Sequence, residues 1–267
     1  MKKGLLIFIL GAFPFFSYSQ VLLDARSYAL ANSTIASPGI GSIQQNYAQL
    51  SQLDSNVQIQ SNYKNSYGIS DINQASLILG IPLKNYPIGI SYNRFGNSQY
   101  NTNLISLGSS VRLSKSFALG LALSYQNIHI DNYKQKWRVN NSISLLSDLS
   151  PKVKLGVQIE NPFRKTKNKE ALDLDSETAF KIGLSYHDKK YSLSSQINKY
   201  LSEPASIHLG LSIFPNEYFI ARLGVQSQQI NAGFGLKINK NLQIDIATSA
   251  HKTLGISSII SLSYDFK

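Results

Sequence analysis

Four histidines are the obvious candidates for acid–base or metal chemistry, and their placement offers neither. His129, His187, His208 and His251 are scattered along the chain. They form no HExxH element and no pair at metal-ligand spacing. The absence of cysteine removes thiolate nucleophiles, cysteine-held metals, disulfides and a lipoprotein anchor together. No GxSxG elbow occurs, and no glycine-rich phosphate loop follows a strand. Asp24 and Asp54 are carboxylates without a catalytic partner in the sequence. The chain therefore reads as a non-enzyme with no cofactor, no metal and no catalytic residue.

The basic residues offer a second chemistry, contact with phosphates. The formal net charge is +11. Lys134, Lys136 and Arg138 form one basic cluster, and Arg164, Lys165, Lys167 and Lys169 another. Both fall in predicted loops rather than along a groove, which argues against nucleic acid. Contact of Lys134, Lys136, Arg164 and Lys165 with outer-leaflet lipid phosphates is one reading. Solvated loop tips are the other.

The elements that must hold these groups are strands. In Phe117-Ala118-Leu119-Gly120-Leu121-Ala122-Leu123-Ser124-Tyr125, one face carries Phe117, Leu119, Leu121, Leu123 and Tyr125. The other carries Ala118, Gly120, Ala122 and Ser124. Side chains on a strand alternate between faces, so this strand is apolar on one side and small on the other. Aromatic residues sit at the two ends of its apolar face, as in the interfacial girdles of a lipid-facing barrel strand. Tyr86, Ile88, Ile90 and Tyr92 repeat the pattern. So do Phe180, Ile182, Leu184 and Tyr186, and, near the end of the chain, Ile260, Leu262, Tyr264 and Phe266. A soluble β-sandwich or solenoid would explain the alternation, but not the aromatic ends.

Fourteen strands are predicted, near 56–64, 70–82, 86–95, 100–113, 116–130, 137–149, 151–161, 175–187, 190–199, 204–214, 217–226, 229–238, 241–250 and 254–266. Compact connections alternate with longer ones. Lys84-Asn85, Ser114-Lys115, Ser150-Pro151, Asp188-Lys189, Pro215-Asn216 and Asn239-Lys240 make the compact set, which belongs on the periplasmic side of such a barrel. The inward faces are rich in Gly, Ser, Ala, Asn and Gln. Arg112, Lys154, Glu160, Lys181, Asp245 and Asp265 join them, and mixed charges there can pair across the lumen. Gly233 and Gly235 face inward too, marking either a strand kink or relief of crowding.

The N-terminal residues divide the chain further. Lys2 and Lys3 precede the apolar run from Leu5 to Leu10, and Ser17-Tyr18-Ser19 has the pattern of a cleavage site. Residues 1–19 are read as a cleaved signal peptide; the run is short for a spanning helix, which needs about 20 residues. Residues 20–52 do not alternate. They are expected to form a plug, or hatch, in the mouth of the barrel, with a disordered tail as the alternative. The barrel itself is assigned to residues 53–267. The resulting fold class is all-β: a transmembrane antiparallel barrel of about 14 strands with a short N-terminal plug, in the outer membrane of the cell.

The plug segment also carries a resemblance. Asp24-Ala25-Arg26, Ser37-Pro38 and Asn46-Tyr47-Ala48-x-Leu50 resemble the start of the FadL-like superfamily of outer-membrane barrels, and its PorV/PorQ branch associated with type IX secretion. Tyr47 stands where that pattern has proline, and Ala31-Asn32 where it has a glycine-rich core. The resemblance implies a fourteen-stranded barrel with a hatch, and a passive channel for small hydrophobic or amphipathic molecules. It also allows a PorV/PorQ-like accessory of protein secretion or surface attachment. A structural envelope barrel is the third reading. By resemblance, Arg26 and Asn46, with Asp24 beside them, anchor the hatch. The partners expected are outer-membrane lipid, the barrel assembly machinery and, on the second reading, secretion-system components.

Overall fold

A strand with one apolar face cannot rest until that face meets lipid or core, and its edges cannot rest until they are paired. Closing the sheet meets both demands. The computed structural model describes residues 24–53, 55–133, 135–163 and 177–266. The predicted signal peptide, Asp54 and the segment holding Arg164, Lys165, Lys167 and Lys169 lie outside the described residues, as does Lys134.

Fourteen strands form one closed antiparallel barrel. In chain order they are β1 (Gln58–Asn65), β2 (Asn73–Ile81), β3 (Ile88–Gly96), β4 (Tyr100–Ser114), β5 (Phe117–Ile130), β6 (Lys136–Asp148) and β7 (Val153–Glu160). Then follow β8 (Ala179–His187), β9 (Tyr191–Tyr200), β10 (Ser206–Ile213), β11 (Phe219–Gln226), β12 (Gln229–Lys237), β13 (Leu242–His251) and β14 (Gly255–Asp265). Each strand pairs with its sequence neighbours, and β1 pairs with β14 to close the wall, Gln58 facing Asp265. The compact connections all fall at one end and the longer ones at the other. β4, β5 and β6 are the longest strands, so the wall stands tallest there at the long-loop end.

The start of the second strand moves. The second strand was expected from residue 70, but Ser70–Ile72 form a 3-10 turn and β2 begins at Asn73. Tyr67 and Gly68 are both left-handed, at φ 58° and 72°. They fold the chain back tightly, and the 3-10 turn completes the reversal before pairing resumes.

The outer face is apolar from end to end, with Leu121, Leu123, Leu209, Leu223 and Ile182 among its exposed residues. Aromatics band it at both ends: Tyr63, Tyr125, Trp137 and Phe180 toward the long loops, Tyr86, Tyr218, Tyr264 and Phe266 toward the compact turns. That is the surface of a membrane-spanning barrel. Among the described residues no helix is long and apolar enough to cross a membrane.

The hydrophobic core lies between this wall and the chain it encloses. Asp24 caps the helix α1 (Ala25–Ala29), and two 3-10 turns follow, Ile40–Gln44 and Tyr47–Gln52. Ala25, Tyr28 and Ala29 pack on Ala247 and Ile259 of the wall. Ile40, Ile43, Tyr47 and Leu50 pack on Ile78 and Ala122, and Ala48 on Ala118 and Leu146. The segment expected at the mouth is thus seated well inside the barrel, with nearly every residue from Asp24 to Leu50 buried.

Candidate functional site

The plug divides the lumen, and three features define what remains: the seat it occupies, the mouth at the compact-turn end and the cup at the long-loop end.

The seat is made by inward-facing glycines on neighbouring strands. Gly80, Gly89 and Gly108 stand in register across β2, β3 and β4. Gly156 faces Gly183, and Gly210 faces Gly224. Here the absence of a side chain admits another backbone. A Cβ on Gly156 would lie 2.4 Å from the Ile35 carbonyl oxygen, and one on Gly224 would lie 2.4 Å from the Ala31 nitrogen. On Gly108 it would fall 2.1 Å from Cδ1 of the Tyr47 ring. Gly233 and Gly235 belong to the same lining. The ladders of β12 run unbroken through both, so they mark no kink. Gly233 clears Ala29, and Gly235 clears the side chains of Asp245 and Arg222.

Hydrogen bonds complete the seat. Asn46 precedes the second 3-10 turn, and its Oδ1 accepts from the Ala48 amide at 3.0 Å, capping it. Its Nδ2 donates to the Ile35 carbonyl within the plug and to the Leu145 carbonyl of β6, both at 2.9 Å. Tyr47 takes the first position of that turn, where proline is favoured because its missing N–H would be unbonded anyway. A tyrosine is tolerated there for the same reason, and its ring fills the space that Gly108 leaves. On the far side His208 of β10 holds the Ala31 carbonyl at 2.7 Å from Nδ1. Its Nε2 meets Asn198 Nδ2 at 3.1 Å and Ser206 Oγ at 2.9 Å. A neutral ring donating from Nδ1 to the Ala31 carbonyl fits the first contact and leaves the single Nε2 lone pair to be shared between Asn198 and Ser206.

The mouth at the compact-turn end is polar, a cavity of about 490 Å³ whose lining includes Asp24, Arg26, Asp245 and Lys240. Asp24 Oδ1 accepts from the Ser27 amide at 2.8 Å, and its Oδ2 accepts from Gln60 of β1 at 3.2 Å. Arg26 donates to the carbonyl of Pro38, so the Asp-Ala-Arg and Ser-Pro elements close on each other. Burial pulls the Arg26 guanidinium below its ordinary pKa, with the carboxylate of Asp24 acting in the other direction. Beside it Arg222 Nη1 donates to Asp245 Oδ1 at 2.6 Å, a pair buried at both ends. Gln243 donates to the other oxygen of Asp245 at 2.7 Å.

The inward charges pair between near neighbours on the wall, not across the lumen as expected. Lys181 reaches Glu160 at 2.5 Å, and Lys154 reaches Asp148 at 2.6 Å. Arg222 and Asp245 meet from β11 and β13 over the gap at Gly235. The reason is the plug: it occupies the space through which opposite walls would meet.

The cup is a cavity of about 210 Å³ open toward the long loops. Asn32, Gln44, Gln45 and Tyr47 of the plug form its floor. The wall adds Asn93, Gln126, Gln158 and Gln196, with Phe95, Leu104 and Tyr200 as apolar surface. Several polar atoms here have no hydrogen-bond partner among the described residues, although buried: both side-chain heteroatoms of Gln45, and the carbonyl oxygens of Gln44, Asn32 and Gln158.

The predicted site residues therefore separate. Asp24 and Arg26 lie together at the mouth, and Asn46 joins the plug to β6 on the side of the seat. Lys136 begins β6, half-buried and in contact with other groups; Lys134, Arg164 and Lys165 of the lipid-phosphate reading lie outside the described residues. The four histidines lie on β5, β8, β10 and β13. Sequence reasoning missed Arg222, His208 and the floor amides. Arg222 was findable, as a charge at an inward position between Ala221 and Leu223 of the lipid face. Gln44 and Gln45 had no such signal, because a segment without periodicity does not tell which way a side chain points.

No family model and no curated protein matches the sequence. Solved structures do match in shape. The CymD monoaromatic hydrocarbon channel aligns with TM-score 0.72 at 12% identity, over 94% of this chain and 99% of that one. The toluene transporter TodX of Pseudomonas putida aligns with TM-score 0.69 at 11% identity, over 93% and 100%. A FadL homologue of Pseudomonas aeruginosa gives 0.66 at 12%, over 92% and 98%. The fold is that of these FadL-type channels.

Proposed function

We propose that the protein is a passive channel of the outer membrane, admitting small hydrophobic or amphipathic molecules from the long-loop side. The observation that carries this reading is a membrane-spanning barrel stoppered by its own N-terminal segment, with one cavity above the stopper and one below. Both cavities are lined by wall and plug residues together, so a solute in either one touches the element that must yield for it to pass. The similar structures include a hydrocarbon channel and a toluene transporter, which supports small solutes with an apolar part. The membrane is the lipid partner on this reading, and the assembly machinery inserts the chain.

The test is solute flux into vesicles reconstituted with the purified protein. Accelerated entry of small amphipathic solutes, and a much larger unselective leak when residues 24–52 are deleted, are expected. Vesicles no more permeable than protein-free ones would overturn the reading.

A second reading, an accessory of type IX secretion, rests on the plug elements that close on each other through Arg26 and Pro38. On that reading the partner is a secretion component. Deleting the gene would then empty the medium of secreted proteins and load the periplasm. An unchanged secretome excludes it.

A further inference from the structure

The cup is unlike the wall outside it. Its floor and lower sides present side-chain amides, which offer a donor and an acceptor on one group. Within that lining the pairing is incomplete. Gln44 donates to Asn93 at 3.4 Å, leaving the Gln44 oxygen and the Asn93 nitrogen without partners. Gln45 is 3% exposed and bonds at neither side-chain atom, and Gln158 is 1% exposed with its oxygen unbonded. Buried polar groups are normally satisfied, because each one left unpaired carries a desolvation cost. A cluster of them on one cavity floor points to polar groups supplied from the cavity. The charged groups of the lining come in both signs, Arg94, Arg138 and Lys181 with Glu160 and Glu177, and Lys181 is held by Glu160. No single sign dominates, so the cup is not built to select an ion. Its volume lies below the roughly 300 Å³ at which sites for drug-sized ligands begin.

We propose that the cup seats the polar end of a small neutral solute bearing several hydroxyl or amide groups, with Gln45, Gln44, Asn93 and Gln158 as its partners. A hydroxyl both donates and accepts, as an amide does, so a polyol matches this floor group for group. Phe95, Leu104 and Tyr200 are left to meet the apolar part of the solute. The proposal rests on the channel reading and names the class of solute it favours.

Two probes on one ring skeleton test it: myo-inositol, with six hydroxyls, and cyclohexanol, with one. Binding to the full chain in detergent is measured by calorimetry, and flux separately by vesicle swelling. Inositol is expected to bind more tightly than cyclohexanol, and Gln45→Leu to weaken it about tenfold, the loss of one to two neutral hydrogen bonds. Gln158→Leu, on the wall, repeats the test should a change in the plug disturb folding. Preference for cyclohexanol, no binding of inositol, or inositol binding unchanged in both variants overturns the proposal. Swelling without inositol binding would leave the channel and remove this site. Inositol binding without swelling would keep the site and remove the channel.

Discussion

Gln45 and Asn46 are adjacent amides on one turn, and the barrel treats them in opposite ways. Asn46 spends every side-chain hydrogen-bonding group it has on the plug and β6, whereas Gln45 spends none. The boundary between two regions passes between them. Below it is the seat, where wall glycines touch plug backbone and most plug polar groups are matched, the Ser42 hydroxyl and the Gln49 side-chain oxygen being exceptions. Above it is the cup, where amides are buried without partners. Matched burial is what stability selects, and unmatched burial is a cost retained for another reason. The seat therefore belongs to the fold and the cup to the solute.

The largest effect that would break this division lies at the ion pair beneath the seat. Arg222→Met removes the cation and leaves Asp245 buried, still hydrogen-bonded by Gln243 but without its ion-pair partner. A loss of about 3–5 kcal/mol is expected in urea unfolding of the reconstituted barrel. The double variant Arg222→Met with Asp245→Leu should recover most of it, since the cost is the unpaired charge and not the missing attraction. Failure of the double variant to recover would mean that the pair holds the plug by a contact apolar packing cannot replace.

Next comes the close approach. Gly156→Val places two methyl groups against the Ile35 carbonyl, which belongs to a backbone held from behind by Asn46 and Gln49. A loss of about 3 kcal/mol is expected, with the barrel still closing and the plug turning sensitive to added protease. If the plug stays resistant, the glycine row is not its seat. Asn46→Ala should cost about 2 kcal/mol, combining a lost cap with the lost hydrogen bonds to Ile35 and Leu145. Gln45→Leu, one residue earlier, should do the reverse and stabilise by about 1 kcal/mol, because it removes an unpaired buried amide. Equal losses for the two would erase the boundary.

What the sequence disclosed follows the same line. The wall was legible because lipid outside and lumen inside impose a period of two on every strand. Phe117–Ile130 begins within a residue of its expected start for that reason. The compact turns were legible because Pro, Asn, Asp, Ser and Lys punctuate them. The path of the plug was not, because a chain enclosed on all sides has no solvent face to give it a period. Nor were the partners of inward residues. Arg222 meets Asp245 because register sets them opposite Gly233 and Gly235 of β12, so that they reach each other diagonally over glycines, and alternation alone leaves register open. Asn46 was picked out by resemblance, and its bonds to Ile35 and Leu145 could not have been read from its neighbours.

The smallest effect concerns where the plug departs from the glycine-rich pattern it resembles. Ala31 and Asn32 are both left-handed, at φ 52° and 61°, a conformation in which a Cβ crowds the backbone. They are held there from several sides. Ala31 donates to the Tyr28 carbonyl at 3.0 Å, Asn32 donates to that of Ser27 at 2.7 Å, and His208 holds the Ala31 carbonyl. Asparagine tolerates this region and alanine does not, so the strain sits on Ala31. Ala31→Gly relieves it but gives the unfolded chain more freedom to lose, and the two effects oppose. Because the hydrogen bonds of Ala31 are made by its backbone, glycine keeps them, and a net gain of about 0.5 kcal/mol is expected in the same urea titration. A loss instead would show that the Ala31 methyl group packs in the seat, which would extend the matched region one residue further toward the cup.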